Sequence, residues 1–270
     1  MKTVLFLIAA GIVLTAEAQS PKSREHYHGE IKYYTEKIQE EPDNAAHYYA
    51  RGIFHHILTN FSASNNDFKK VIELYERNPQ KKYARVATDA CYFLADDYYF
   101  RRADRVNAQA YIDEGLKISP GDKRFEVLQT GIIGSYPEKA EEARKKFESL
   151  IAKYPGDEKL LLYYARFLER TDPKKSAALN EKVIAINPNN IDALFALGSY
   201  YANEATRIYK ANGDAGKVFD YMKKSVSYFE TIHKLNPDDK EIIEILIQCY
   251  NHLNLPSEKK KMEKALAEIK

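Results

Sequence analysis

Six prolines recur along the chain at similar intervals, and this recurrence restricts the possible folds more than any other feature of the sequence. Each proline follows an amphipathic helical pattern and precedes two residues drawn mainly from Gly, Asp and Asn; the prolines are at positions 42, 79, 120, 155, 188 and 237. The intervals between them range from 33 to 49 residues. Such a period is typical of repeats built from a helix pair, which buries its apolar face only by stacking on the next pair. We therefore expect an all-α fold of stacked helix pairs.

The residues between the prolines resemble the tetratricopeptide repeat, whose length is about 34 residues. That family's pattern has a large residue, Leu, a small residue and Tyr in the first helix of a repeat, then Ala, Phe and Pro in and after the second. The last complete interval matches it with Leu194, Leu197, Gly198, Tyr201, Ser225, Phe229 and Pro237. Gly198 corresponds to the small residue that lets two helices approach closely. The resemblance implies a tetratricopeptide-repeat α-solenoid, a right-handed superhelix of antiparallel helix pairs.

Three further prolines fit the first position of a helix, where a missing N–H costs nothing: Pro137, Pro173 and Pro256. We predict thirteen helices in one solenoid domain over 19–270, with an unpaired N-terminal helix at about 23–41 followed by six helix pairs. The longest interval predicts an elongated pair at about 190–236. This stretch resembles a form found in exported tetratricopeptide proteins of Gram-negative bacteria, and it is either a binding element or a strut without a ligand.

The first eighteen residues have the organisation of a secretory signal peptide. Lys2 precedes the apolar run 4–14, and Ala16 and Ala18 form a small-x-small cleavage site. We predict a signal peptide over 1–18, cleaved after Ala18, and a mature chain in the periplasm or outside the cell. An apolar run of this length is too short to span a bilayer, which needs about 20 residues, and no second run follows, so we expect no membrane span in the mature chain. An uncleaved anchor is the alternative.

Charge and cysteine content argue against a nucleic-acid-binding protein and against a fold that depends on disulfides. The 41 basic and 39 acidic residues nearly cancel, without the basic stripe that binds nucleic acid, so we expect no nucleic-acid partner. Exported folds that rely on disulfides are rich in cysteine, whereas this chain has only Cys91 and Cys249. Each lies in an apolar helical pattern, and we expect both to be buried apolar side chains rather than a disulfide framework.

The resemblance also implies a binding groove, because the first helices of tetratricopeptide repeats line the concave surface. The groove candidates are one and five residues after the first large residue of each repeat, with three more residues one turn further on. They are Tyr49, Ile53, Phe93, Asp97, Arg101, Leu162, Arg166, Arg170, Phe195, Ser199, Asn203, Glu244 and Gln248. The lysine, asparagine and arginine set with which chaperone-binding members hold a terminal carboxylate is absent from the matching positions.

Signals for catalysis or cofactor binding are weak. His55 and His56 are adjacent, and His26 and His28 are two apart, so neither pair converges on one metal as residues four apart on a helix would. No nucleophile, zinc or phosphate-loop motif occurs in the sequence. We expect neither enzymatic activity nor a cofactor or metal.

These observations favour a non-catalytic protein-protein interaction scaffold of the bacterial cell envelope, which binds a peptide segment or a partner protein in its concave groove. Two alternatives remain open. A hydrolase or carbohydrate-processing accessory would need two acidic side chains about 5 to 10 Å apart in one pocket. A structural spacer would instead self-associate into a homo-oligomer.

Overall fold

The computed structural model describes the chain from residue 21 to residue 269, and its side chains from residue 24; the predicted signal peptide lies outside the described residues. Within them the chain forms thirteen α-helices and no strand, which confirms the predicted all-α class and number of helices. They are α1 (Pro21–Glu40), α2 (Ala45–Ile57), α3 (Phe61–Arg77), α4 (Lys81–Phe100), α5 (Arg105–Ile118), α6 (Lys123–Gly134), α7 (Ala140–Lys153), α8 (Glu158–Leu168), α9 (Pro173–Ile186), α10 (Ile191–Lys210), α11 (Ala215–Leu235), α12 (Lys240–His252) and α13 (Pro256–Glu268). None of these described helices is both long and apolar enough to cross a membrane.

The helices form two compact units, which we describe separately. Unit 1 spans residues 21–155 and contains α1 to α7, and unit 2 begins at Gly156 and contains α8 to α13. In unit 1, α1 packs on α2, and the pairs are α2 with α3, α4 with α5, and α6 with α7. In unit 2 the pairs are α8 with α9, α10 with α11, and α12 with α13. Within each unit, the second helix of one pair packs on the first helix of the next, so neighbouring pairs bury each other's apolar faces.

Most of the recurring prolines precede a helix N-cap. After five of the six prolines, the residue two positions further on caps the next helix with its side-chain oxygen; the caps are Asn44, Asp122, Asp157, Asn190 and Asp239. Each accepts a hydrogen bond from a first-turn N–H that has no partner within the helix. The exception is Gln80, whose side chain makes no such bond at the start of α4. The motif therefore ends one helix pair with the proline and begins the next with the cap.

Gly198 lies where α10 meets α11, as predicted for the small residue of the repeat. A Cβ atom added to Gly198 would lie 2.7 Å from Cζ of Phe229, closer than real Cβ atoms approach another atom. Gly52 of α2 has the same relation to α3, because its added Cβ would lie 2.9 Å from Cε1 of Phe68. In both pairs an aromatic ring of the second helix packs directly on the backbone of the first.

Both cysteines are buried, as predicted, and neither forms a disulfide. Cys91 is fully buried in unit 1, and Cys249 belongs to the apolar core of unit 2 beside Phe229 and Leu246. Burial raises the pKa of the Cys91 thiol to about 12 and also raises the pKa of the Cys249 thiol. The two side chains are therefore protonated core groups rather than reactive thiolates.

The α10–α11 pair is longer than the helices on either side of it in unit 2. α10 has 20 residues and α11 has 21, whereas α9 has 14 and α12 has 13. The surplus of six to eight residues corresponds to about 9 to 12 Å of helix. Asp214 ends the connecting turn and caps α11 by accepting hydrogen bonds from the backbone N–H groups of Gly216 and Lys217. We call residues 207–220, at the end of this pair, the hairpin tip.

Candidate functional site

The first helices of the repeats in unit 1 carry the candidate binding surface of that unit. The middle one, α4, contacts both α2 and α6. Residues four apart on a helix lie on one side of it, which aligns Phe93, Asp97 and Arg101 along α4; Arg101 is the C-cap and keeps helical dihedral angles. We call this surface the unit 1 face and define it by Tyr49, Ile53, Asp89, Phe93, Asp97, Arg101 and Arg124.

Aromatic rings form the centre of the unit 1 face. The Phe93 ring stacks on the ring of Phe68 from α3, with centroids 5.0 Å apart and an interplanar angle of 11°. The centroid of the His56 ring lies 5.0 Å from that of the Phe93 ring, with an interplanar angle of 57°. Phe93 nevertheless stays only half-buried. Its neighbours therefore fix the orientation of the ring while part of its surface remains accessible.

A buried carboxylate organises the basic residues at the end of α4. Asp97 is 3% exposed, and its Oδ2 accepts hydrogen bonds of 2.7 Å from Asn65 Nδ2 and from Arg102 Nε. A buried carboxylate requires such partners because removing its charge from water is otherwise costly. Arg101 Nε is farther away, 3.6 Å from Asp97 Oδ1. Asp97 is thus satisfied mainly by residues other than Arg101.

An aromatic ring, more than an acidic residue, holds Arg101 in place. The guanidinium carbon lies 3.5 Å from the centroid of the Phe61 ring, which is a cation–π contact. The side chain is 49% exposed, and within the described part of the chain its only ion pair is the 3.6 Å contact with Asp97. A guanidinium carries five N–H donors in a rigid plane. Arg101 therefore has a fixed orientation and donors still available to an external acceptor.

A second polar network joins the three first helices of unit 1. Arg124 of α6 contacts Asp89 Oδ1 of α4 and Asp122 Oδ2, both at 2.7 Å, and lies 5.0 Å over the Tyr92 ring. Tyr49 Oη of α2 donates to the other Asp89 oxygen at 3.2 Å. Burial, reinforced by the charge of Asp89, raises the pKa of Tyr49, so this phenol stays protonated and donates. The network crosslinks α2, α4 and α6 and fixes their relative positions.

Burial divides the unit 1 candidates into two groups. Tyr49, Ile53 and Asp97 are 3%, 6% and 3% exposed, so they support the unit 1 face from beneath, whereas Phe93 and Arg101 are accessible. The choice of these residues as binding residues stays a prediction.

The sequence-based reasoning missed Asp89 and Arg124. Asp89 lies four residues before Phe93, so the same helical spacing, extended one turn toward the N terminus, would have found it. Arg124 belongs to α6, for which the family pattern gives no candidate.

The unit 2 candidates lie on α8, α10 and α12 or just beyond them, and they are less aromatic. Those that are half-buried are Leu162, Phe195 and Ser199, and those that are exposed are Arg166, Arg170, Asn203, Glu244 and Gln248. Phe195 packs edge-on against Phe229, with ring centroids 5.7 Å apart. Phe195, Ser199 and Asn203 are four apart and share one side of α10. This surface offers one anchored ring and several exposed polar groups.

Among the described residues, no three side chains of His, Cys, Asp or Glu come close enough to hold a metal ion. The buried aspartates of unit 1 are each bonded to an arginine: Asp89 and Asp97 as described above, and Asp67 by Arg51 through two hydrogen bonds of 2.6 and 2.9 Å. These carboxylates are therefore committed to contacts inside the protein.

No protein-family model matches the sequence, and no curated protein matches it. Solved structures do match. The human IFIT1 dimer with m7Gppp-AAAA has a TM-score of 0.62 and 16% identity, over 83% of this chain and 50% of that chain. Yeast Tom70 has a TM-score of 0.59 and 15% identity, over 93% and 57%. The Cut9–Hcn1 hetero-tetramer of the APC/C has a TM-score of 0.58 and 14% identity, over 98% and 48%.

The chain thus spans about half the length of these proteins. They are tetratricopeptide-repeat proteins, and the similarity confirms the predicted fold class, an all-α tetratricopeptide-repeat α-solenoid. At this level of identity the likeness concerns the fold alone.

Proposed function

We propose that this protein is a non-catalytic protein-protein interaction scaffold of the bacterial cell envelope, which binds a peptide segment or a partner protein on the first helices of its repeats. The observation that carries the proposal is the accessible pair Phe93 and Arg101 on the unit 1 face. Aromatic and arginine side chains are the types that contribute most binding energy at protein interfaces. Both are held in place by neighbouring rings, Phe93 by Phe68 and Arg101 by Phe61.

Rigidity favours binding because ordering a long side chain at an interface costs about 0.5 to 1.5 kcal/mol. Arg101 is already stacked, and Phe93 is already packed, so little of this cost remains. The two residues are eight positions apart on α4, which is roughly 12 Å at 1.5 Å per residue. An extended peptide covers that distance in about three or four residues at 3.3 Å each. A partner segment with an apolar and an acidic side chain at that spacing therefore fits the pair.

The envelope location is supported by the signal-peptide pattern of residues 1–18. Fractionation of the native cells, followed by mass measurement of the recovered protein, tests it directly. Recovery outside the cytoplasm of a chain that begins at Gln19 is the expected result. A cytoplasmic chain that retains residues 1–18 would contradict this part of the proposal.

Partner binding is tested by crosslinked capture from the native envelope fraction. We expect the parent to capture a specific partner and Arg101→Ala to lower its recovery at least tenfold, since an interface hot spot contributes about 2 kcal/mol or more. The matched control is Arg77→Ala, because Arg77 is 57% exposed at the end of α3 and forms its ion pairs with Asp43 and Glu73, which are not residues of the unit 1 face. Equal recovery from all three proteins would contradict the assignment of this face. Concentration-dependent oligomers without any captured partner would favour the structural spacer instead.

A further inference from the structure

Two aromatic side chains are exposed at the hairpin tip of unit 2. Tyr209, in the last turn of α10, is 73% exposed, and Phe219, near the start of α11, is 45% exposed. The helices on either side of the pair, α9 and α12, are six to eight residues shorter. Phenylalanine is among the residue types that are most often buried, and Tyr209 has the largest exposed fraction of the Tyr and Phe residues that the structure describes. The exposure of both rings at the end of an elongated helix pair indicates a contact surface.

Basic side chains accompany these rings. Within the described residues, neither Lys210 nor Lys217 forms an ion pair, although both are exposed. Lys223 Nζ lies 4.6 Å from the centroid of the Phe219 ring. Of the two acidic residues at the tip, Asp214 is occupied in capping α11, and Asp220 is exposed. Residues 207–220 carry three basic and two acidic side chains, a formal net charge of +1, so the tip presents apolar rings beside a small excess of positive charge.

We propose that the hairpin tip binds the surface of a membrane that contains anionic phospholipid. Tyr209 and Phe219 enter the interfacial region, where aromatic rings are favoured. Lys210 and Lys217 pair with lipid phosphates, because the negative surface of an anionic leaflet attracts nearby basic residues. With two rings and few charges, the attachment is peripheral and reversible.

The size of the tip favours a lipid surface over a protein partner. A helix is about 10 Å across, so the end face of a helix pair measures roughly 10 by 20 Å, or about 200 Å². An end-on contact of this size falls well short of the roughly 800 Å² that each partner buries in a stable protein interface. Interfacial contact with lipid needs only a few aromatic and basic side chains.

A single tryptophan tests the proposal, because the chain contains none. Phe219→Trp places a fluorescent reporter at the tip, and Val106→Trp places a matched one on α5 of unit 1, where Val106 is 80% exposed. With mixed phosphatidylcholine and phosphatidylglycerol vesicles we expect the Phe219→Trp emission to shift to shorter wavelength and the Val106→Trp emission to stay unchanged. Pure phosphatidylcholine vesicles or high salt should abolish the shift. An absent shift, or equal shifts at both positions, would overturn the proposal.

Flotation with the same vesicles tests the chemistry of binding. The double variants Tyr209→Ser with Phe219→Ser, and Lys210→Glu with Lys217→Glu, should each lower the partition coefficient at least about tenfold. Val106→Ser should leave it unchanged. All proteins are produced as the chain that begins at Gln19, so the apolar run 4–14 cannot contribute to flotation. Unchanged flotation of either double variant would refute lipid binding by the tip. Stronger binding to poly-glutamate than to vesicles, dependent on the lysines alone, would assign the tip to an acidic protein instead.

Discussion

Replacing Gly198 by alanine has two opposing effects on the free energy of unfolding of unit 2: a gain in helix propensity and a steric cost in the core. In a helix interior alanine is more favourable than glycine by roughly 1 kcal/mol. At position 198 the new Cβ would lie 2.7 Å from Cζ and 2.9 Å from Cε2 of Phe229, which is 2% exposed in the core of unit 2. Overpacking a core costs about 1 to 3 kcal/mol. We therefore expect Gly198→Ala to destabilise unit 2 by between zero and about 2 kcal/mol.

Gly29→Ala is the matched control, because Gly29 lies inside α1 and an added Cβ would meet no atom within 4 Å. This change should stabilise unit 1 by up to about 1 kcal/mol. The gain in helix propensity is common to both variants, so their difference of about 1 to 3 kcal/mol measures the steric term alone. In a double-mutant cycle, Gly198→Ala should cost less in the Phe229→Leu background than in the parent, because leucine removes the ring atoms that the new Cβ meets.

The two buried thiols allow each unit to be followed separately. Cys91 lies in unit 1 and Cys249 in unit 2, and both are protected by burial and a raised pKa. Thiol labelling at increasing urea, with the two sites distinguished by mass, gives an unfolding midpoint for each unit. We expect Gly198→Ala to lower the midpoint at Cys249 and Gly29→Ala to raise the midpoint at Cys91. If Gly198→Ala raised its midpoint as Gly29→Ala does, the close packing of α10 and α11 would not be a constraint and the reasoning would fail.

The same labelling assay checks three further changes. Ser64→Ala should stabilise unit 1 by about 1 kcal/mol, since no group in the described part of the chain forms a hydrogen bond with the buried Ser64 Oγ; destabilisation would show that the hydroxyl is satisfied. Asp239→Ala should cost unit 2 about 1 kcal/mol by removing the N-cap of α12, whereas Gln80→Ala, at a position without a cap bond, should be nearly neutral. Tyr49→Phe should cost unit 1 about 1.5 to 3 kcal/mol, because it removes a hydrogen bond to the buried carboxylate of Asp89; a neutral result would show that Arg124 alone satisfies this carboxylate.

The fold was predictable because the signals that define it are local. A proline followed two residues later by Asn or Asp stands between one helix pair and the next, and in the structure Asn190 and Asp239 are the N-caps of the helices that follow. Gly198 indicated a close helix contact through its family position, and Phe229 occupies that contact. Each of these signals depends on residues within one repeat, where helical spacing fixes which side chains meet.

The polar networks were not predictable because they join different repeats. Asp89 in the α4–α5 pair contacts Arg124 in the α6–α7 pair, and Asn65 in the α2–α3 pair donates a hydrogen bond to Asp97 in the α4–α5 pair. Such contacts depend on the axial shift between helices and on side-chain rotamers, neither of which hydrophobic periodicity specifies. One signal was present: an aspartate within an apolar helical pattern needs a buried partner, since an unpaired buried charge is costly. That signal would have identified Asp89 as part of the unit 1 face without naming Arg124.

The division between buried and accessible candidates determines which substitutions can test binding. Tyr49 packs on Phe68, with ring centroids 6.0 Å apart, and is 3% exposed; truncating a buried aromatic residue to alanine costs about 3 to 5 kcal/mol. A partner lost from Tyr49→Ala would therefore report unfolding as readily as a missing contact. Arg101→Ala leaves Asp97 with both of its 2.7 Å donors and removes only a half-exposed side chain. A lower recovery of partner at an unchanged Cys91 midpoint would thus identify Arg101 as a binding residue, whereas a lower recovery that accompanies a lower midpoint would make it a structural one.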